Sequence, residues 1–433
     1  MLLYPHLNVN EKGHLTIGGL DTVALAAEFG TPAYIMDETV IRANCRTYLT
    51  AAKAAFGAEA LPLYASKALC FAGIYRIVAE EGLGVDCVSG GELYTAAKAG
   101  FPAARIYFHG NNKTDADLRQ AMDMGVGTIV VDNTDELEAL ESIAEQLCKT
   151  QRILLRITPG IDPHTHRAIQ TGNVDSKFGN AIVTGGAMAI TKKALACKRL
   201  QLCGFHCHIG SQIFDIDPFR DAADIMLRFI ADVRRETGFL AEELNLGGGL
   251  GVPYTDEDPR IDYASAVTDI AAVAKAAAER AGVPMPRIIL EPGRSLVAAA
   301  GITLYTVGSV KEIPGFRNYI SVDGGMPDNP RYALYQSRYT ALIANRASEP
   351  ADYRATIAGR CCESGDLIGE DMPIQRAVRG DILAVLTTGA YNFAMASNYN
   401  RLPRPPIVLV RDGAARVAVR RESFADLLRN DII

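Results

Sequence analysis

Between residues 61 and 291 the chain alternates short β-rich runs with helix-forming stretches, and no other feature narrows its possible folds so far. Eight runs qualify as strands: LPLYAS, LGVDCVS, RIYFHG, TIVVD, RILLRI, LCGFHCHIG, ELNLGGG and RIILEPG. The segments between them, such as TDELEALESIAEQLCK and YASAVTDIAAVAKAAAERAG, repeat apolar residues at helical spacing. The first four runs recur roughly every 22 residues, a spacing suited to βα units. Eight such units in succession predict a (β/α)8 barrel, in which the carboxyl ends of the strands carry the chemistry. An open, doubly wound sheet is the alternative; the absence of a dinucleotide fingerprint disfavours it.

After about residue 300 the pattern changes. ITLYTVGSVKEI, RNYISVDGG, RATIAG, DILAVLT, PPIVLVRD and ARVAVRRE alternate apolar and polar residues with turns between them, the mark of an all-β domain of sandwich or barrel type. The opening segment, with HLTIGG, is too short to fold alone and is expected to add a strand to that domain. The predicted division is a barrel over 36–300 and a β domain made of 1–35 with 301–433. Inside the barrel, the stretch PGIDPHTHRAIQTGNVDSKFG (159–179) reads as a long polar loop of the kind that forms lids.

Composition limits the partners. The chain has 433 residues, 48% hydrophobic and 22% charged, enough for a sizeable core. A net charge of -6 argues against nucleic acid or an anionic membrane as partner. No basic stretch followed by an apolar one marks the start as a signal peptide, and LVAAAGITLYTVGSV is too short and too interrupted to span a membrane. The 9 cysteines are an odd number without CxxC pairs, which suits reduced thiols in the cytoplasm.

The strand ends hold the candidate chemistry. Lys67, in LYASKALC, ends the first run; a desolvated lysine has a lowered pKa and a free amine able to condense with an aldehyde, whereas an ordinary lysine snorkels to the surface. ELNLGGGLG places Gly247, Gly248, Gly249 and Gly251 at the seventh strand end, either as a plain turn or as a cradle for a single phosphate. The Walker lysine is missing, so a nucleoside triphosphate is disfavoured. ILEPGRSL sets Glu291 and Arg294 at the eighth strand end: either an internal ion pair, or a carboxylate facing a cationic ring nitrogen with an arginine for phosphate or carboxylate. FHCHIGSQI puts His206 and His208 on one face of a strand. Metal binding is one reading of that pair, but no acidic ligand set accompanies it at the strand ends, so no metal is expected. The other reading stacks His208 on a planar cofactor, frees Ser211 for phosphate and leaves His206 in the core.

Taken in order, YASKA, HIGSQI, GGGLG, EPGR, CESGD and GAYNFAMASNYNRLPRP closely resemble the diaminopimelate decarboxylases, pyridoxal 5'-phosphate enzymes of fold type III, from about residue 30 to 410. The resemblance implies a cofactor-binding barrel with a β domain, in a homodimer whose active sites are shared. It makes Lys67 the lysine that bonds the cofactor's aldehyde, with His208 on the ring, Glu291 at the pyridine nitrogen and Asp86 nearby. Ser211, Gly248, Gly249, Gly293, Arg294 and Tyr391 would line the phosphate and substrate end. Cys362 resembles a cysteine supplied by the other protomer to reprotonate the carbanion, a task for which Lys67 is the other candidate. Glu363 would read the distal ammonium, while Arg331 and Tyr335 of NPRYALYQ, with Arg294, would clamp the distal carboxylate. Lys177, in SKFG, would belong to the lid, and the duplicated Cys361 has no assigned role.

The activity so implied is decarboxylation of meso-2,6-diaminopimelate to L-lysine and CO2, the last step of lysine biosynthesis. The alternatives are decarboxylation of ornithine or arginine, and a regulatory homologue without catalysis. The intact Lys67, Glu291, His208, Cys362 and Glu363 speak against the last.

Overall fold

The eight β-rich runs pair side by side in chain order and close on themselves. In the computed structural model, which describes residues 2–161 and 175–432, they form β1 (Leu61–Ala65), β2 (Gly84–Cys87), β3 (Ile106–Phe108), β4 (Thr128–Val131), β5 (Gln151–Thr158), β6 (Leu200–His206), β7 (Glu243–Asn245) and β8 (Arg287–Leu290). Each neighbour is parallel, and β8 returns to β1 with Ile289 opposite Leu61 and Leu290 opposite Pro62. This is the closed parallel barrel expected. Its interior is a cluster of Leu63, Tyr107, Val130, Leu154, Cys203 and Ile289, one residue from each of six strands. Because side chains alternate along a strand, the neighbours of these residues point outward into the surrounding helices.

Helices follow the strands and start where the sequence supplies caps. Ser89 caps the helix at Gly90–Lys98, Asn133 caps Thr134–Gln146, and Thr114 forms a capping box with Asp117 at Asp115–Met124. The helix Glu38–Phe56 precedes β1, and its Tyr48 ring stacks on Tyr263 of the helix Tyr263–Ala281. The segment 162–174, which includes PHTH and most of the expected polar loop, lies outside the described residues.

The chain divides into two compact units: Asn44–Gly251 with Arg260–Gly293, and Met1–Ala43 with Val252–Pro259 and Arg294–Ile433. The first holds the barrel and the second is mostly sheet. In the second, β9 (Gly301–Ile313) is the central strand, and β10 (Arg317–Val322), β11 (Ala341–Ile343), β12 (Tyr353–Ala358), β13 (Leu367–Ile374), β14 (Ile382–Leu386), β15 (Ile407–Arg411) and β16 (Ala414–Val419) complete the set. The sheet runs β13–β12–β10–β9, then the strand Ala33–Asp37, then β15–β16, while β14 pairs with β9 and β11 with β14.

The opening segment adds a strand to this sheet, but not through HLTIGG. HLTIGG does not join this sheet; Leu7–Val9, Leu15–Ile17 and Leu20–Asp21 make a separate three-stranded sheet. Gly18 and Gly19, at φ 57° and 79°, allow a tight return that pairs Ile17 with Leu20 and satisfies that edge locally. The N-terminal strand that does enter is Ala33–Asp37, buried throughout, between β9 and β15. Strands β11 and β13 lack the clean alternation of the others and were not anticipated. All 9 cysteines are free thiols. Among the described residues no helix is long and apolar enough to cross a membrane.

Candidate active site

At the barrel mouth β1 ends in a single 3-10 turn, Ser66–Ala68, that buries its flanking residues and turns Lys67 outward. Ser66 Oγ donates to Glu92 Oε2 at 2.5 Å, and the Val88 N–H donates to the same oxygen at 2.8 Å, so Glu92 ties the turn to the end of β2. The Lys67 side chain is exposed. The expectation of a lysine desolvated by protein is therefore corrected: the turn presents the amine at the mouth instead of burying it. Lys67 still acts on its surroundings. Desolvation, reinforced by the cations Lys67 and Arg156, pushes the half-buried His208 imidazole well below its ordinary range.

Glu291, just beyond β8 and 7% exposed, sits among donors from three other strand ends. Asn245 Nδ2 donates to Oε1 at 2.6 Å, His206 Nε2 meets Oε2 at 3.1 Å, and His109 Nε2 lies 2.8 Å from Oε1, off the ideal hydrogen-bond direction. Burial alone favours the neutral acid, but the two imidazoles outweigh it and hold the Glu291 carboxyl well below the usual range. Burial pushes His206 down to about 3, outweighing the opposing pull of Glu291. His206 is buried in the core as expected, and its acidic partner comes from two strands along the barrel, where linear spacing gave no sign of one. His109, His206 and Glu291 bring ligand-type atoms within 4.8 Å of one another, and Asn245 Nδ2 also donates to Glu291. Asp86, at the end of β2, is buried and its Oδ1 has no hydrogen-bond partner among the described residues; burial pushes its carboxyl up.

The glycine turn after β7 is dictated by contact. A Cβ on Gly248 would stand 2.0 Å from the Glu291 carbonyl oxygen, and one on Gly249, at φ 127°, 2.3 Å from that of Gly210. Gly293 likewise packs on β1, where a Cβ would lie 2.9 Å from that of Ala65. The Gly248 N–H points to His208 Nδ1 at 3.4 Å, and Ser211 is partly exposed beside it in the chain.

A second cluster lies within the β unit. Arg294, 5% exposed, donates from Nη1 to Tyr254 Oη at 2.6 Å and lies 4.8 Å from the Tyr391 ring centroid. Arg331, 6% exposed, stands over Tyr335 at 5.4 Å, Tyr391 at 5.7 Å and Tyr254 at 6.0 Å. Its Nη2 reaches Ser337 Oγ at 3.3 Å; among the described residues its Nε has no hydrogen-bond partner and no carboxylate pairs with it. Tyr391 sits at φ 58°, a left-handed conformation that costs a bulky residue about 1–3 kcal/mol. Cys362 and Glu363 are exposed in a loop of this unit, where Glu363 bonds Tyr399 and the Cys362 N–H donates to Asn400 Oδ1 at 2.8 Å. Cys361 is buried, its thiol pushed up to about 12 by burial and by Asp366.

Of the expected residues, Lys67, Asp86, His208, Ser211, Gly248, Gly249, Glu291 and Gly293 thus fall in the barrel unit, and Arg294, Arg331, Tyr335, Tyr391, Cys362 and Glu363 in the β unit. Unforeseen were His109, Asn245, Arg156 and Glu92 in the barrel and Tyr254 and Tyr339 around the arginines. His109 and Asn245 were findable, being polar residues at strand ends in YFHG and ELNL. Lys177 lies 4.9 Å from the centroid of the Phe178 ring, which Arg156 also approaches at 4.2 Å.

An eight-stranded barrel with an amine, a held carboxylate and a glycine turn at its mouth defines a class, the pyridoxal-dependent decarboxylases: residues 41–298 match the model of their pyridoxal binding domain. Over its full length the chain is 46% identical to the diaminopimelate decarboxylase of Bacillus subtilis, 98% of which it covers, and 48% identical to that of Halalkalibacterium halodurans, again over 98% of that protein. A diaminopimelate decarboxylase from M. jannaschii crystallised with L-lysine superposes with a TM-score of 0.92 at 36% identity, over 100% of this chain and 99% of that one. The chain belongs to the diaminopimelate decarboxylase family. A lysine/ornithine decarboxylase from Vibrio vulnificus, 24% identical with a TM-score of 0.74 over 90% of this chain and 97% of that one, shares the fold.

The cofactor of this family is pyridoxal phosphate, and the described residues fit it. Asp86 Oδ1 is a buried acceptor without a donor among the described residues, Glu291 is a buried anion at the floor of the mouth, and the Gly247–Gly249 turn leaves no room for side chains. Lys67 presents the amine that such a cofactor's aldehyde requires.

Proposed function

We propose that this chain decarboxylates meso-2,6-diaminopimelate to L-lysine and CO2 with pyridoxal phosphate, the last step of lysine biosynthesis. The observation that carries the choice of substrate is Arg331: a buried guanidinium ringed by tyrosines, with no carboxylate of its own among the described residues. A buried cation without an anion is costly. A substrate with a second carboxylate supplies the missing charge, and ornithine and arginine carry none at their distal ends.

When bound, the cofactor supplies an electron sink for the bond to the departing carboxylate. The chain supplies position and charge. Lys67 would hold the cofactor through its aldehyde. Glu291, kept anionic, would hold a proton at the pyridine nitrogen. His208, kept neutral, would pack beside the cofactor, and Asp86 would accept a hydrogen bond in the same mouth. Ser211, the Gly248, Gly249 and Gly293 backbone, Arg294 and Tyr391 would receive the phosphate and the near end of the substrate. Arg331 and Tyr335 bind the distal carboxylate, Glu363 the distal ammonium. CO2 leaves, and Cys362 returns the proton that replaces it at Cα.

In this reading Cys362 and Glu363 act on the partner's site, which is supported by their exposure on a loop of the β unit; the enzyme works as a homodimer with shared sites. Nine free thiols and the lack of a crossing helix among the described residues support a cytoplasmic enzyme. The deciding assay offers meso-diaminopimelate, ornithine and arginine separately and identifies the amine released. L-lysine from the first with negligible product from the others is expected; faster release of putrescine or agmatine would overturn the assignment.

A further inference from the structure

The cluster beneath the barrel mouth contains more than the proposed reaction uses. Glu291 takes an amide donor from Asn245 and two imidazoles, His109 and His206, whose rings meet edge to face with centroids 4.7 Å apart. A carboxylate offers about four lone-pair sites on its two oxygens. Asn245 donates to Oε1, beside which His109 Nε2 also lies at 2.8 Å, and His206 meets Oε2, so the acceptor position left open is on Oε2. Both histidines come from strand ends, His109 just after β3 and His206 as the last residue of β6, so the barrel itself fixes their spacing.

We infer that His109 and His206 are positioning residues: together they clamp the Glu291 carboxylate as an oriented anion with a single acceptor position left for the cofactor's ring N–H. The inference deepens the reading above and rests on it. Its physical logic is that an isolated buried carboxylate either protonates or rotates toward whatever donor is near. Two hydrogen bonds, from Asn245 and His206, and the close His109 imidazole, all fixed by strand ends, oppose both. A protonated Glu291 would present a donor or a neutral oxygen to the ring nitrogen and could not hold a proton there. The nearby charges, Asp86 with its Oδ1 at 3.9 Å from His109 Nε2 and the buried Arg156, belong to the same mouth, so removing an imidazole changes a coupled set of charges.

The test uses the full-length enzyme, stripped of cofactor and reloaded, in five forms: His206→Leu, His206→Gln, His109→Leu, His109→Gln and Glu291→Gln. Two readouts other than turnover are taken. One is pyridoxal phosphate affinity by fluorescence; the other is the pH midpoint at which the visible band of the bound cofactor changes. Each Leu variant is expected to weaken affinity by ~10-fold or more, the scale for losing a group that orients a ligand-binding residue. Each should also move the midpoint by more than about half a pH unit. Gln keeps an N–H donor and should recover much of both. If Glu291→Gln shifts the midpoint while the histidine variants do not, the clamp is wrong and the cofactor reading stands. If Glu291→Gln also leaves it unmoved, the assignment of Glu291 itself fails. Equal damage by Leu and Gln with lowered melting temperatures would reduce the histidines to packing. Stoichiometric Zn2+ held by the cofactor-free protein through both histidines, and not displaced by pyridoxal phosphate, would assign the trio to metal instead.

Discussion

The barrel mouth and the arginine cluster of the β unit both bury charge, and they do so in opposite ways. Glu291 is an anion supplied with donors by its own chain, from Asn245, His206 and His109. Arg331 is a cation faced by the rings of Tyr254, Tyr335 and Tyr391, with no carboxylate of the described residues against it. Cation–π contacts offset about 0.5–2 kcal/mol apiece, less than the several kcal/mol of burying an ion. The first charge is held and oriented by its own chain; the second waits for a counter-charge from outside it. The first keeps its state whatever arrives, and the second gains most when a carboxylate arrives.

That contrast can be broken by experiment. The largest effect belongs to the amine at the mouth: Lys67→Ala should abolish the visible absorption of the cofactor-loaded protein and cut turnover by at least ~1,000-fold. A coloured Lys67→Ala protein would undo the barrel half of the comparison. Next, Arg331→Ala should lower kcat/KM for meso-diaminopimelate by about 100-fold or more, each tenfold being 1.4 kcal/mol, and Arg331→Lys should recover little because the planar fork is lost. Any residual activity on a substrate lacking the distal carboxylate should change far less. Equal losses on both would make Arg331 a structural residue.

A carboxyl in the β unit sharpens the comparison with Glu291. Asp328, buried between Tyr305 and the Gly325 N–H, has its carboxyl pushed up to about 7 by burial, the opposite direction to Glu291. The folded state therefore keeps this proton longer than the unfolded chain, whose carboxyl titrates near ~4. Its stabilising contribution is complete below about pH 4 and is lost as pH rises to about 7. Asp328→Asn should flatten the fall in unfolding free energy between about pH 5 and pH 7 by roughly 2 kcal/mol, read from urea titrations at each pH. An unchanged slope would mean that Asp328 is ionised in the fold. The smallest effect concerns the paired cysteines. Thiol reagents should label the exposed Cys362 quickly and the buried Cys361 slowly, and Cys361→Ser should leave turnover within about twofold while Cys362→Ser does not. The reverse order would exchange their roles.

Much of the fold was legible because its rules are local. Eight apolar runs at βα spacing can close into a barrel, and each run expected became a strand. The β region read almost as well, since alternation exposes which face is buried. It failed at HLTIGG, where Gly18–Gly19 let a hairpin satisfy its own edge, and at Ala33–Asp37, whose uninterrupted burial hides the alternation of a central strand. The strand-end rule located Lys67, His208 and Glu291, because a polar residue closing an apolar run stands out.

The order and kind of these residues were therefore settled by the sequence alone: an amine, an imidazole and a carboxylate at the ends of the first, sixth and eighth strands, with glycines where backbone must meet backbone. Which of them meet was decided only by the closed sheet. Glu291 and His206 are 85 positions apart, yet their side chains touch at 3.1 Å. Linear spacing carries no information about such a contact, because circular closure brings strand ends together by tilt and register, not by distance along the chain.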